Sequence, residues 1–155
     1  MKIEIQVFDK YQQLATIREM VKDVHYKVLD NNRNEQLVDL FMILNGKRYT
    51  IKAGTKWEAS IPKVFWWLIG KPTDQKFALA SRIHDYLYHR LHNRDEADAV
   101  FRLLLNWAGV DDWKVAAMWS SVRVGGHMFY AASAKNNRLS TRMWRGIVKF
   151  LYGDD

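Results

Sequence analysis

Between Phe77 and Leu105 the sequence FALASRIHDYLYHRLHNRDEADAVFRLLL carries its reactive side chains at helical spacing on two consecutive helical patterns. His84, Asp85 and Tyr88 form H-D-x-x-Y on the first, and Arg94, Asp95, Glu96 and Asp98 open the second. Residues four apart share a helix face, so His84 and Tyr88 point one way while Asp85 is turned about 100° from His84. That divergence suits a division of labour in which His84 is a general base and Asp85 a metal ligand. A base of this kind needs a partner that fixes its tautomer and stabilises the imidazolium, usually a carboxylate. Asp98 supplies one if a polar turn near His92-Asn93 folds the two helices back antiparallel. The oxygen-rich set favours calcium, held by Asp85, carbonyl oxygens and water; the ion would polarise an ester carbonyl while His84 activates the attacking water. Zinc would need a nitrogen such as His127 nearby. The same residues also fit a structural role, with Asp98 complementing the helix dipole and Tyr86 and Tyr88 in the core.

The elements that must position this pair run from strands to helices. Lys2 to Phe8 alternates apolar and polar residues as a half-buried strand does, and Val21 to Leu29 alternates loosely through Val24, Tyr26 and Val28. Residues 10 to 19 are polar and ambiguous, and the NNRN run at 31–34 predicts a turn. Val38–Leu44 and Arg48–Ala53 flank Asn45-Gly46, the dipeptide of a type I′ hairpin turn. The first third is expected to be a small antiparallel meander. Gly54–Pro62, GTKWEASIP, reads as a loop, and Pro62 starts a short apolar helix, KVFWWLIG, closed by Gly70-Lys71-Pro72. Thr73 or Asp74 caps the next helix, which runs to about His92; Asn93-x-x-Glu96 opens the following one, and Gly109 ends it. Asp111 or Asp112 caps a further helix through about Val124, where Gly125-Gly126 stops it, and Ser140 caps a last one. The expected architecture is α+β in a single domain over residues 1–155, mainly β over 1–53 and mainly α over 54–155.

Composition bounds the chemistry. With 155 residues, 48% of them hydrophobic, and seven Trp, the chain has enough apolar surface to build a sizeable core. It has no Cys, which excludes a disulfide framework and a thiolate zinc site. The N-terminus lacks the apolar core of a signal peptide, and no apolar run approaches the ~20 residues of a membrane span. The net charge of +7 suits a polyanion partner without naming one. Arg138, Arg142, Arg145 and Lys149 recur at helical spacing and are the candidate contacts to nucleic acid or another anion, beside the plainer reading of a solvated helix face.

Several motifs together resemble an uncharacterised family encoded mainly by tailed phages and prophages. They are Ala59-Ser60-Ile61-Pro62 with Phe65-Trp66, then His84-Asp85-Tyr86-Leu87-Tyr88, then Arg94 with Ala97-Asp98 and Phe101, and Val122-Arg123 with Gly125-Gly126. In that family an Asp often stands where this chain has Trp57, and Glu58 is the neighbouring acid that would substitute as a metal ligand. Asp85-Tyr86-Leu87-Tyr88 after His84, followed by Ala97-Asp98 and Phe101, is also similar to the helix pair of phospholipase A2. That resemblance implies His84 as base, Asp85 as calcium ligand, Asp98 as the acid orienting His84, and Tyr88 as support. The glycine-rich calcium loop of those enzymes has only Gly54 or Gly70 as counterparts here.

The leading expectation is a metal-assisted, phospholipase-like hydrolase of an ester bond, with catalytic His84, Asp98 and Tyr88 and a pocket walled by Trp57, Ser60, Trp66, Arg94 and Arg123 under the GTKWEASIP loop. Ser60 lacks the glycines of a nucleophile elbow and reads as a turn hydroxyl. His89 and His92 are turn histidines that could add to a metal site. The alternative is a non-enzymatic phage accessory protein that keeps the helix pair as a structural network and binds a host or virion partner; a basic nucleic-acid-binding protein is a third reading. The phage resemblance implies a place in the host cytoplasm or on the virion.

Overall fold

A computed structural model describes residues 2–22, 26–29, 33–58, 66–70, 74–90 and 93–135, of which the side chains of 58, 66, 68 and 124–135 lie outside the description. Strands precede helices, and the fold is α+β. Strand β1 (Ile5–Phe8) buries Ile5 and Val7 and pairs antiparallel with β2 (Leu14–Ala15) on one side and β5 (Leu40–Leu44) on the other. Strand β5 buries Leu40, Met42 and Leu44 and continues into β6 (Lys47–Ile51). Leu44 pairs with Lys47 across Asn45-Gly46, whose φ values of 48° and 79° are those of the I′ turn expected there. The Asn45 side chain then accepts from Glu4 N at 2.9 Å, tying the hairpin to β1.

The remaining strands depart from the expected meander. Strands β3 (Tyr26–Val28), β4 (Arg33–Gln36) and β7 (Lys56–Glu58) form a separate three-stranded antiparallel sheet, order β3-β4-β7. Arg33 and Asn34 of the expected turn therefore lie in a strand, as do three residues of the expected GTKWEASIP loop. The alternation of β4 was hidden because its inward positions hold Asn34 and Gln36 instead of apolar residues. Helix α1 (Ile17–Lys22) fills part of the ambiguous stretch. It opens on a reciprocal capping box: Thr16 N donates to Glu19 Oε2 at 2.8 Å and Glu19 N to Thr16 Oγ1 at 3.3 Å.

Helix α2 spans Trp66–Ile69. Helix α3 (Gln75–His89) starts at Asp74, whose carboxylate accepts from Lys76 N, and α4 (Arg94–Trp107) starts at Asn93, whose side chain accepts from Glu96 N at 3.1 Å. Gly109, at φ 77°, follows the end of α4. Helix α5 runs from Asp112 to Lys135, straight through Gly125 and Gly126, so the expected stop is not there. Glycine inside a helix costs about 1 kcal/mol relative to Ala but keeps its N–H and C=O, so it weakens a helix without ending it. One hydrophobic cluster joins β1, β5 and β6 to Ile83 and Leu87 of α3, Val100, Leu104 and Leu105 of α4, and Val115 and Met118 of α5.

Candidate functional site

Asp98 lies one turn into α4, 1% exposed, and gathers side chains from three helices. His84 Nε2 of α3 is 2.8 Å from its Oδ1, and the Tyr88 hydroxyl, one turn along α3, donates to the same oxygen. The His84 ring packs against Tyr88, with centroids 4.0 Å apart, and against Phe101 of α4 at 4.9 Å. Moving from His84 to Tyr88 along α3 shifts the partners from Phe101 back to Asp98, so the pair is antiparallel, as the expected turn requires. The other carboxylate oxygen faces cations: Arg123 of α5 at 3.3 Å and Arg94 Nε at 3.6 Å. Arg94 also donates to the Arg123 carbonyl, and Arg123 pairs with Asp95. The spacings do this work, since 84/88 and 94/98 are each one turn apart on a single face.

Electrostatics fix the protonation of the acid. Burial pushes the Asp98 carboxyl up, but hydrogen bonds from His84 and Tyr88, with the nearby His84 and Arg94 charges, hold it below the usual carboxylate range. The Tyr88 phenol is pushed well above its usual value, by burial first and then by its bond to Asp98. An ionised carboxylate only accepts, so His84 must present Nε2–H to it, leaving Nδ1 as the unprotonated nitrogen of the neutral ring. Nδ1 takes no protein partner among the described residues. The ring itself is 8% exposed.

The other expected residues divide. Arg94 and Arg123 join the cluster, but as ion partners of Asp98. Asp85 points elsewhere, 26% exposed and 3.4 Å from His89 Nε2. Trp57 is buried in β7 beneath Arg82, which precedes His84 by two residues and so projects from a different face of α3; it does not wall the His84 site. Glu58 is in β7 and Trp66 in α2, with side chains outside the described residues, as is the side chain of His127 in α5. Ser60, His92, Arg138, Arg142, Arg145 and Lys149 lie outside them altogether. Among the described residues no three of His, Cys, Asp and Glu converge to hold a metal ion.

A second polar cluster was not anticipated. Arg82, 4% exposed, donates through NH1 to Gln36 Oε1 and sits 5.3 Å over the Trp57 ring, which meets Tyr26 edge-on at 5.5 Å. Burial pulls the Arg82 guanidinium down to about 10. The available signal was its position within the apolar stripe of α3, one turn after Ala78 and next to Ile83. Two open pockets lie apart from both clusters: one beside α2, lined by Trp67, Phe77 and Lys114, the other on β6, lined by Lys47, Arg48, Tyr49, Lys52, Tyr86 and Arg90.

Comparison with known proteins matches a region that contains His84, Tyr88, Arg94 and Asp98 of the first cluster and Gln36, Trp57 and Arg82 of the second, and that leaves out Arg123, Asn34 and Tyr26. Residues 35–122 match a family model described as protein of unknown function (DUF1353), and the chain belongs to that family. Over 84 residues, 53% of this chain, it is 33% identical to the uncharacterized protein y4jT of Sinorhizobium fredii (strain NBRC 101917 / NGR234), of which the match covers 25%. The chain thus matches about a quarter of the length of that curated relative. No solved structure matches.

Proposed function

We propose that this member of the DUF1353 family hydrolyses an ester or related acyl bond with His84 as general base. The observation that carries the reading is the shared oxygen of Asp98, which receives both His84 Nε2 and the Tyr88 hydroxyl. That contact turns Nδ1 into the free nitrogen. In the reaction Nδ1 takes a proton from water, the hydroxide oxygen bonds to the acyl carbon, and the tetrahedral adduct expels the alcohol oxygen, which receives the proton back from Nδ1. Asp98 stabilises the imidazolium between those transfers, and Tyr88 holds the carboxylate in place. Asp85 is the residue proposed to attract calcium; the further oxygens would have to come from backbone and water, and no step of this reaction depends on it. A lipid ester is the substrate class that the phospholipase resemblance favours, and the phage or prophage setting belongs to the same reading.

A second reading is a non-enzymatic accessory protein in which Asp98 is the polar tie of three helices, facing a host or virion partner elsewhere on its surface. The small exposure of His84 and the ion pairs from Arg94 and Arg123 favour it. One assay separates the two. The full chain is offered p-nitrophenyl esters and phosphatidylcholine vesicles, with calcium chloride or with EDTA. The enzyme reading predicts hydrolysis that falls about 10²–10⁴-fold in His84→Asn. Undiminished hydrolysis in that variant, or none by the wild-type protein on any substrate, rejects it.

A further inference from the structure

Four side chains of the three-stranded sheet share one face. Asn34 and Gln36 are two apart on β4; Asn34 pairs with Trp57 across the β4–β7 ladder, and Gln36 with Tyr26 across β3–β4. Arg82 of α3 closes that face, bonded to Gln36 and stacked over Trp57. Its surroundings are uncommon for a buried charge. No carboxylate among the described residues pairs with Arg82, and its Nε–H is buried without a partner. Both amide atoms of Asn34 and the indole N–H of Trp57 are likewise buried without partners, and these residues are 0% and 2% exposed. Buried polar groups are nearly always satisfied and buried charges nearly always paired. Here the Nε–H of a cation and two neutral donors on one sheet face lack an acceptor together, and the Asn34 Oδ1 lacks a donor.

We infer that Arg82, Asn34 and Trp57 form a binding site for a small oxyanion, a carboxylate or a phosphate group, separate from the His84–Asp98 cluster. The planar guanidinium offers directional N–H donors suited to such an anion, with Nε–H still available, while the indole and amide N–H groups supply the flanking bonds. Trp57 also stacks the guanidinium and keeps it from turning away. Tyr26, on the edge strand and the least buried of the five, marks the side nearest solvent. The sheet and α3 hold this arrangement whether or not the protein is an enzyme, so the inference does not depend on the hydrolase reading.

The test is thermal unfolding of the full chain with sodium acetate or inorganic phosphate added over a constant sodium chloride background, for wild type and Arg82→Met. A ligand that binds only the folded state at ten times its Kd should raise Tm by about 3–6 °C in a domain of this size. The wild type should show a saturable rise of that order with at least one probe, absent in Arg82→Met. Without added probe the variant should melt at the same temperature or higher, because it loses an uncompensated buried charge. Acetate alone acting identifies a carboxylate ligand and phosphate alone a phosphate ligand; both outcomes uphold the site. Equal shifts in the two proteins, or no saturable shift in the wild type, overturn it. If Arg82→Met does not fold, the Trp57 indole N–H resonance of the wild type, assigned with Trp57→Phe, decides: saturable movement with a probe upholds the site, and immobility overturns it.

Discussion

His84 and Arg82 lie two residues apart on α3 and project from different faces, one into charges that balance one another, the other into amides and an indole. Around Asp98 each charge has an opposite: two arginines converge on one carboxylate, which His84 and Tyr88 also meet, and Asp95 takes up the outer arginine. Among the described residues, the side chains that touch Arg82 are the neutral Gln36 and Trp57. A buried pair is costly to break, because removing one partner leaves the other uncompensated, whereas a lone buried ion already bears that cost in the folded protein. The contrast separates the two clusters by role. The first can hold the fold and prepare a base; the second gains only when an anion arrives.

The comparison breaks most readily at Asp98. Asp98→Ala should lose about 3–5 kcal/mol in urea unfolding, while Arg82→Met should be neutral or more stable. Equal losses would mean that the two sites are alike. Acid provides the next largest effect. Because the folded-state pKa of Asp98 is depressed, its contribution is complete above the unfolded value of ~3.9 and is lost as pH falls through the folded value. The urea midpoint of the wild type should therefore drop more steeply below about pH 4 than that of Asp98→Asn. Parallel profiles would remove the assigned charge state. A smaller loss, about 1–2 kcal/mol, is expected for Tyr88→Phe, which deletes one donor and leaves Asp98 its other partners. A loss equal to that of Asp98→Ala would make Tyr88, and not His84, the main partner. The smallest effect concerns Asp85. Calcium should raise Tm slightly in the wild type and not in Asp85→Asn, and equal shifts would discard Asp85 as a ligand.

How much of this was visible in the chain depended on whether the local pattern matched the burial pattern. Asn45-Gly46, the caps at Asp74 and Asn93, and the 84/88 spacing act within a few residues, so each is readable from the sequence and each recurs in the fold. The Thr16–Glu19 box was equally local and was obscured by the polar residues around it. Strand β4 was illegible for a different reason: its buried positions hold Asn34 and Gln36, whose burial is justified only by what comes across from α3 and β7. Arg82 has the same explanation, because an arginine in an apolar stripe announces a buried partner without saying which. Gly125-Gly126 misled because a stop signal requires a left-handed turn, and the helical backbone there makes none. The contact of Asp98 with His84 is legible in the spacing, while Arg94 and Arg123, expected on a substrate or pocket wall, face the acid; a motif shows which residues are close, not which charges they meet.

The proton on His84 is the most direct test of the central claim, since the proposed chemistry rests on which ring nitrogen is bare. Long-range ¹H–¹⁵N NMR of the imidazole, assigned with His84→Asn, reads the tautomer of the neutral ring. The proton should sit on Nε2, facing Asp98, with Nδ1 unprotonated. A neutral ring carrying its proton on Nδ1 would contradict both the assigned hydrogen bond and the general base built on it.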